Sequence, residues 1–337
     1  MPVLPDDFRA ATGLWSGHAQ SLFGVLGRPK VSLALRRERR QTPDGDFFDL
    51  DVVDGKPGAP TVILLHGLEG SSTSGYMQLM LRDLSALGWT GLALNARSCS
   101  GEPNLQAASY SSGDYRDLSW LLPLPCGGEG RGEGITPGPV FAVGFSLGAS
   151  VLLNFLANDP NASRLDAAVA VSTPFELARG VGFIDSGSLL ARAYLQRFLP
   201  AMKAKALAKA TQHPGRFDVK AIAATARIRD FDHLVTAPLF GFTSAEAYYA
   251  RCSTGPQLDA IRTPTMLLSA SDDALAPPAF ETKNPAIDVL VTRRGGHVGF
   301  VEGSVLRPHF WAEARLLRWL RERAGLPRPA PAQRGPG

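Results

Sequence analysis

The chain is poor in cysteine: three among 337 residues, Cys99, Cys126 and Cys252. With no CxxC spacing, they argue against a disulfide framework and against a structural zinc site. No stretch approaches the ~20 uninterrupted apolar residues that a membrane span needs. HExxH, GxxxxGK[ST] and a strand-anchored GxGxxG are missing as well, so neither a metal nor a cofactor is expected. Charge of one sign is scarce too, since 35 Lys and Arg against 31 Asp and Glu leave only +4. The one local cluster is Arg36, Arg37, Arg39 and Arg40, and no basic stripe interleaved with aromatics is present, which speaks against a nucleic-acid partner. The opening Met1 to Asp7 has no basic n-region leading into an apolar run. No secretory signal is therefore expected, and a cytoplasmic location is the default.

What is present is a globular composition, 45% hydrophobic and 20% charged, on a chain long enough for one large α/β domain with an insertion. Val31 to Arg39 and Phe47 to Val53 alternate around the turn dipeptide Asp44-Gly45, a hairpin signature. Thr61 to Leu65 is continuously apolar, as a strand covered on both faces would be. Strand and helix patterns then alternate. Met77 to Leu87, Asp114 to Leu122 and Ala149 to Leu156 are helical, while Thr90 to Leu94, Pro139 to Gly144 and Leu165 to Ser172 read as strands. Thr265 to Ala270 and Ile287 to Val291 are further strands, and Pro308 to Arg323 is a closing helix. This alternation predicts a mostly parallel sheet with helices on both faces and the antiparallel hairpin at one edge.

Two stretches break the rhythm. Pro123 to Gly138 is glycine-rich and reads as a surface loop. Pro174 to Phe242 is helical in pattern (189–199, 201–210 and 219–228) and too long for a connection, so it is expected to be an inserted cap. The expected organisation is core over 1–173, cap over 174–242, core again over 243–324, and a Pro/Gly-rich disordered tail over 325–337.

Gly144-Phe145-Ser146-Leu147-Gly148 lies between an apolar strand and a helical run. Small residues at both ends let such a strand-to-helix turn tighten until Ser146 projects above the sheet as a nucleophile. A serine hydroxyl needs a base to take its proton, and the base needs an orienting acid. Of six histidines, only His297 falls in a glycine-flanked loop after the last strand, which makes it the candidate base. The acid comes from Asp272-Asp273, after the preceding strand. Asp273 has the D-x-x-x-P spacing to Pro277 and is favoured, with Asp272 the alternative, because adjacent loop residues point different ways. The oxyanion of acyl transfer needs backbone donors, assigned to the amides of Leu147 and Leu68, the latter in His66-Gly67-Leu68-Glu69-Gly70. His66 itself is read as a stiffener of that loop.

Several segments, in order, resemble the YheT-like branch of the α/β-hydrolase superfamily. They are His18-Ala-Gln-Ser-Leu, Asp44-Gly-Asp-Phe-Phe-Asp-Leu-Asp, His66-Gly-Leu-Glu-Gly-Ser-Ser-x-Ser-x-Tyr76 and Asn95-Ala-Arg-Ser-Cys-Ser-Gly-Glu-Pro-Asn104. Gly144-Phe-Ser-Leu-Gly-Ala, Thr236-Ala-Pro-Leu-Phe-Gly-Phe242 with Tyr248-Tyr249, Asp272-Asp273 and Gly295-Gly-His297-Val-Gly-Phe complete the series. The resemblance implies an α/β-hydrolase fold and a triad that lands on Ser146, Asp273 and His297. It also implies hydrolysis of lipid or medium-chain acyl esters. His233, and Ala96-Arg97-Ser98, depart from the family pattern without touching the triad.

The expected function is thus cleavage of short- to medium-chain acyl esters of small molecules, with cap side chains (Phe183, Leu189, Leu190, Phe198 and Leu199) as candidates to line an acyl pocket. An acyltransferase using an alcohol acceptor, or a noncatalytic binding protein on the same fold, are the competing readings. An epoxide or haloalkane hydrolase would need aspartate in place of Ser146. Whether the cap touches a membrane is left open by the sequence.

Overall fold

The computed structural model describes residues 3–122 and 138–326. The glycine-rich segment, apart from Gly138, and the tail beyond Leu326 lie outside them. After helix α1 (Gly17–Leu26), the chain forms strands β1 (Arg36–Gln41), β2 (Phe47–Val53) and β3 (Thr61–Leu65). Then come α2 (Gly75–Leu87), β4 (Thr90–Asn95), α3 (Arg116–Leu121), β5 (Val140–Phe145), α4 (Leu147–Asn158) and β6 (Ala167–Val171). An α-helical stretch follows: α5 (Leu177–Ile184), α6 (Leu189–Gln212), α7 (Val219–Ala224), α8 (Ile228–Phe231), α9 (Ala237–Leu239) and α10 (Ala245–Cys252). Strands β7 (Thr265–Ala270), β8 (Ile287–Thr292), β9 (Val301–Ser304) and β10 (Arg307–Phe310) precede the last helix, α11 (Trp311–Arg323).

Eight strands form one sheet in the order β1-β2-β4-β3-β5-β6-β7-β8. β1 and β2 run antiparallel at one edge, and every pairing from β4 through β8 is parallel. The apolar runs of the central strands follow from burial on both faces. Val62, Leu64, Phe141, Val143, Val169 and Leu268 pack under α2 and α11, while Ile63, Leu65, Ala142, Ala168 and Leu267 pack under α3 and α4. Each such leucine or phenylalanine contributes about 2 kcal/mol of transfer free energy. Helix ends follow local chemistry. Gly88 takes a left-handed conformation (φ 69°) and sends its N–H to the carbonyls of Leu84 and Ser85, stopping α2.

The structure departs from the sequence pattern in four places. β1 starts at Arg36, not at Val31. α6 runs unbroken through Pro200, because Leu199 and Met202 on either side both bury in the same cluster and offset the single lost backbone hydrogen bond. The helical run expected over 219–228 stops at Ala224, and the side chain of Asp185 takes up the amides of Ile228 and Arg229 where the chain resumes as α8. Residues 308–310, expected to open the closing helix, instead pair with β9 together with Arg307 as a small antiparallel hairpin. Strands of four residues are too short to show alternation.

The helices between β6 and β7 have cores of their own. Leu199, Met202, Ile222, Phe231 and Val235 form one cluster, and Leu177, Ala237, Tyr248 and Tyr249 another. No helix among the described residues is long and apolar enough to cross a membrane.

Candidate active site

β5 ends at Phe145, and α4 begins two residues later. Between them Ser146 has φ 53° and ψ −120°, a left-handed strain of about 1–3 kcal/mol for a non-glycine residue. Its neighbours hold it there. The Ser146 N–H donates to the Val171 carbonyl at 2.9 Å. A Cβ on Gly144 would lie 2.5 Å from the Gly148 carbonyl oxygen, and one on Gly148 would lie 2.4 Å from that of Leu65. Only glycine permits a turn this tight.

The parallel order of β5, β6, β7 and β8 sets the loops after β7 and β8 beside this turn. His297 Nε2 lies 2.8 Å from Ser146 Oγ, and its Nδ1 lies 2.8 Å from Asp273 Oδ2. These partners place the ring hydrogen on Nδ1, leaving Nε2 to accept from the serine. The other oxygen of Asp273 accepts the amides of Leu275 and Ala276, and its carboxylate is fully buried. Asp272 turns the other way, and its Oδ1 accepts the N–H of Gly296 at 2.8 Å. Of the two aspartates left open by the sequence, Asp273 meets the imidazole and Asp272 shapes the backbone leading to it.

The His297 loop is itself strained, with Val298 at φ 54° and Phe300 at φ 46°. Side chains from elsewhere restrain it. Ser21 Oγ of α1 accepts the N–H of His297 at 2.8 Å, Ser172 Oγ accepts that of Val298 at 3.0 Å, and Gln20 Oε1 accepts that of Val301 at 2.7 Å.

Across the serine lies the loop after β3. The amide of Gly67 donates to the Tyr76 hydroxyl and that of Glu69 to the Tyr110 hydroxyl, each at 2.9 Å. Leu68 sits between these two tethers. Leu147, as the first residue of α4, keeps its N–H outside the helical ladder. His66 accepts the N–H of Ala96 on Nε2 and donates from Nδ1 to the Gly67 carbonyl. Complete burial pushes its pKa down to about 4, so it is neutral and serves the loop as a fixed strut.

Above the serine a cavity of about 170 Å³ has Ser146, His297, Leu68 and Leu147 on its floor. Its walls are mainly apolar, from Leu177, Val181 and Ile184 of α5 to Phe198 and Met202 of α6. Polar groups interrupt them, two of them charged and partnered. Lys205 pairs with Glu69 at 3.0 Å. Asp232 accepts hydrogen bonds from the hydroxyls of Thr236 and Tyr249, and burial raises its pKa to about 6. Among the described residues no group of His, Cys, Asp and Glu side chains could hold a metal ion.

The family model described as "Alpha/beta hydrolase family" matches residues 62–314. The chain belongs to the α/β hydrolase family, in its YheT-like branch. It is 35% identical to YheT, a candidate esterase of Escherichia coli (strain K12), over 93% of each chain. It is 30% identical to the monoacylglycerol lipase of Saccharomyces cerevisiae, with 85% of this chain matching 63% of that one. Among solved structures, an esterase of Pyrococcus furiosus aligns over 96% of this chain and 100% of its own, with a TM-score of 0.51 at 17% identity. The 2,6-dihydroxy-pseudo-oxynicotine hydrolase aligns over 94% and 77%, with a TM-score of 0.54 at 17% identity. These two share the fold.

In this α/β hydrolase the structure brings Ser146, His297, Asp273, Leu68 and Leu147 into one place. The apolar residues expected to line the pocket scatter. Phe198 reaches the cavity, but Leu189 and Leu190 are exposed, Phe183 stacks on His18, and Leu199 packs in the cluster with Met202 and Phe231. Gln20 and Ser21 fall in the His18-Ala-Gln-Ser-Leu segment, whose sequence assigns them no role. Tyr110 and Ser172 carry no sequence signal at all, since each acts through a contact made only by folding.

Proposed function

We propose that this protein is a serine hydrolase of acyl esters, working through an acyl-enzyme on Ser146. The observation that carries this reading is the Ser146–His297–Asp273 chain, 2.8 Å at each step, at the floor of a mainly apolar cavity. Ser146 Oγ attacks the ester carbonyl while His297 Nε2 takes its proton. The amides of Leu68 and Leu147 receive the charge that develops on the carbonyl oxygen, each contribution being worth roughly 3 kcal/mol. The intermediate collapses, and His297 returns the proton to the departing alcohol. Water then attacks the acyl-enzyme by the same route, and the acid leaves. Asp273 holds the ring and stabilises the imidazolium without accepting its proton.

Residues 174–242 act in this reading as a cap domain between the two parts of the core, and their apolar walls favour a short- to medium-chain acyl group over a bulky polar one. The names of the bacterial and yeast relatives support the ester class. The test is fluorophosphonate labelling together with hydrolysis of p-nitrophenyl esters of graded chain length. The wild type should label and turn over, and Ser146→Ala should do neither while melting like the wild type. A folded wild type that neither labels nor hydrolyses any ester removes the proposal.

A further inference from the structure

Helix α1 is built polar side in. Its buried residues are Gly17, Gln20, Ser21 and Gly24, and they face the His297 loop. Ser21 and Gln20 bind that loop's amides, and a Cβ on Gly24 would come within 2.8 Å of Gly299 Cα. Backbone donors and a close approach dictate small and polar residues there. The opposite side carries Leu22, Val25 and Leu26, which are 62%, 69% and 74% exposed. A helix on the surface of a water-soluble protein normally buries its apolar stripe. α1 does the reverse.

The apolar face continues onto α6. His18, one turn before Leu22, stacks on Phe183 and meets the Tyr194 hydroxyl at 3.3 Å. Tyr194 lies one turn after Leu190, and Leu189 and Leu190 are 84% and 49% exposed. Side chains four apart adjoin on a helix, so Leu26, Leu22, His18, Tyr194 and Leu190 form one line across the junction. Clustered exposure of this kind marks an interaction surface.

Charge selects the partner. Residues 8–37 and 186–217 contain no aspartate or glutamate, and the cations Lys30 and Arg192, which follow Leu26 and Leu190 closely in the chain, are exposed. A second copy docking through the same face would set these cations against themselves. An anionic lipid surface would not.

We propose that the outer face of α1 and the first turn of α6 dock on an anionic phospholipid bilayer. Leu22, Val25, Leu26, Leu189 and Leu190 enter the headgroup boundary, and Lys30 and Arg192 meet the phosphates. The inference stands independently of the role given to Ser146. The experiment is flotation of the full chain with phosphatidylcholine vesicles, with and without phosphatidylglycerol. Wild type and Ser146→Ala should both float with the anionic vesicles and be released by salt. The double variant Leu22→Ser/Leu26→Ser should lose vesicle affinity roughly tenfold or more, while keeping its melting temperature and its turnover of a water-soluble ester. If that variant does not fold, Leu189→Ser/Leu190→Ser gives the same reading. The proposal fails if the wild type ignores anionic vesicles or if the folded variants float as well as the wild type. It also fails if the wild type is a dimer that these substitutions dissociate, which would make the occupant a second copy.

Discussion

The hydroxyl oxygen of Ser21 accepts the backbone N–H of His297 at 2.8 Å, so a helix that carries no reacting group sets the position of the proposed base. Ser21 also donates to the Gly17 carbonyl one turn earlier, which leaves its oxygen aimed at the loop. The loop needs the tether, because the next residue, Val298, is a β-branched side chain at positive φ.

Ser21→Ala removes this tether without touching a reacting atom. A hydrogen bond of this type is worth about 1 kcal/mol. The expected outcome is a fall in kcat of roughly fivefold with KM little changed, because the loop holding the base loosens while the cavity does not. Steady-state kinetics on a p-nitrophenyl ester check it, and Ser21→Thr, which keeps the hydroxyl, should restore most of the loss. Equal loss in both variants would point to packing instead.

The two neighbouring aspartates separate by partner. Asp273→Asn should cut kcat by on the order of 10⁴, since an amide can bind the wrong tautomer of His297. Asp272→Asn keeps an acceptor for the Gly296 N–H and should cost no more than about tenfold. Comparing kcat of the two variants decides between them, and a larger loss from Asp272→Asn would reverse the assignment of the orienting acid.

Asp232 predicts a pH-dependent stability. Burial raises its carboxyl from 3.8 to about 6, so the protonated form is favoured in the folded chain. Its contribution is complete below the unfolded value, shrinks as pH rises, and is gone once pH passes through about 6. A shift of this size corresponds to roughly 3 kcal/mol at most. Thermal melts of wild type and Asp232→Asn across this range should show the wild type losing stability relative to the variant as pH rises. Parallel curves would mean that Asp232 does not titrate between these values.

The parts of this protein that were legible in its sequence share a physical cause. β3, β5, β6 and β7 are covered on both faces, so each had to be apolar throughout and stood out as such. Gly144 and Gly148 stood out because no other residue fits where backbone carbonyls come within 2.5 Å of a Cβ. Patterns failed where the deciding energy is tertiary. Pro200 looks like a break in any local reading, and only the shared burial of Leu199 and Met202 keeps α6 intact. The β9–β10 hairpin has four-residue strands whose pairing is set by the ladder, with Pro308 opposite Gly303.

By itself the sequence determined the α/β architecture, the strand-to-helix turn at Ser146 and the histidine loop at His297, because local constraints leave few residue types for each. Spacing to Pro277 favoured Asp273 over its neighbour, but the direction of each carboxylate is a tertiary matter: Asp273 faces the imidazole and Asp272 the Gly296 amide. The tertiary structure alone enlisted Ser21, Ser172, Tyr76 and Tyr110 to hold the loops around the serine. Apart from the Tyr76 hydroxyl, which reaches Gly67 nine residues away, those are single hydrogen bonds between groups far apart in the chain, and no periodicity or spacing announces a contact that exists only once the sheet has brought its loops together.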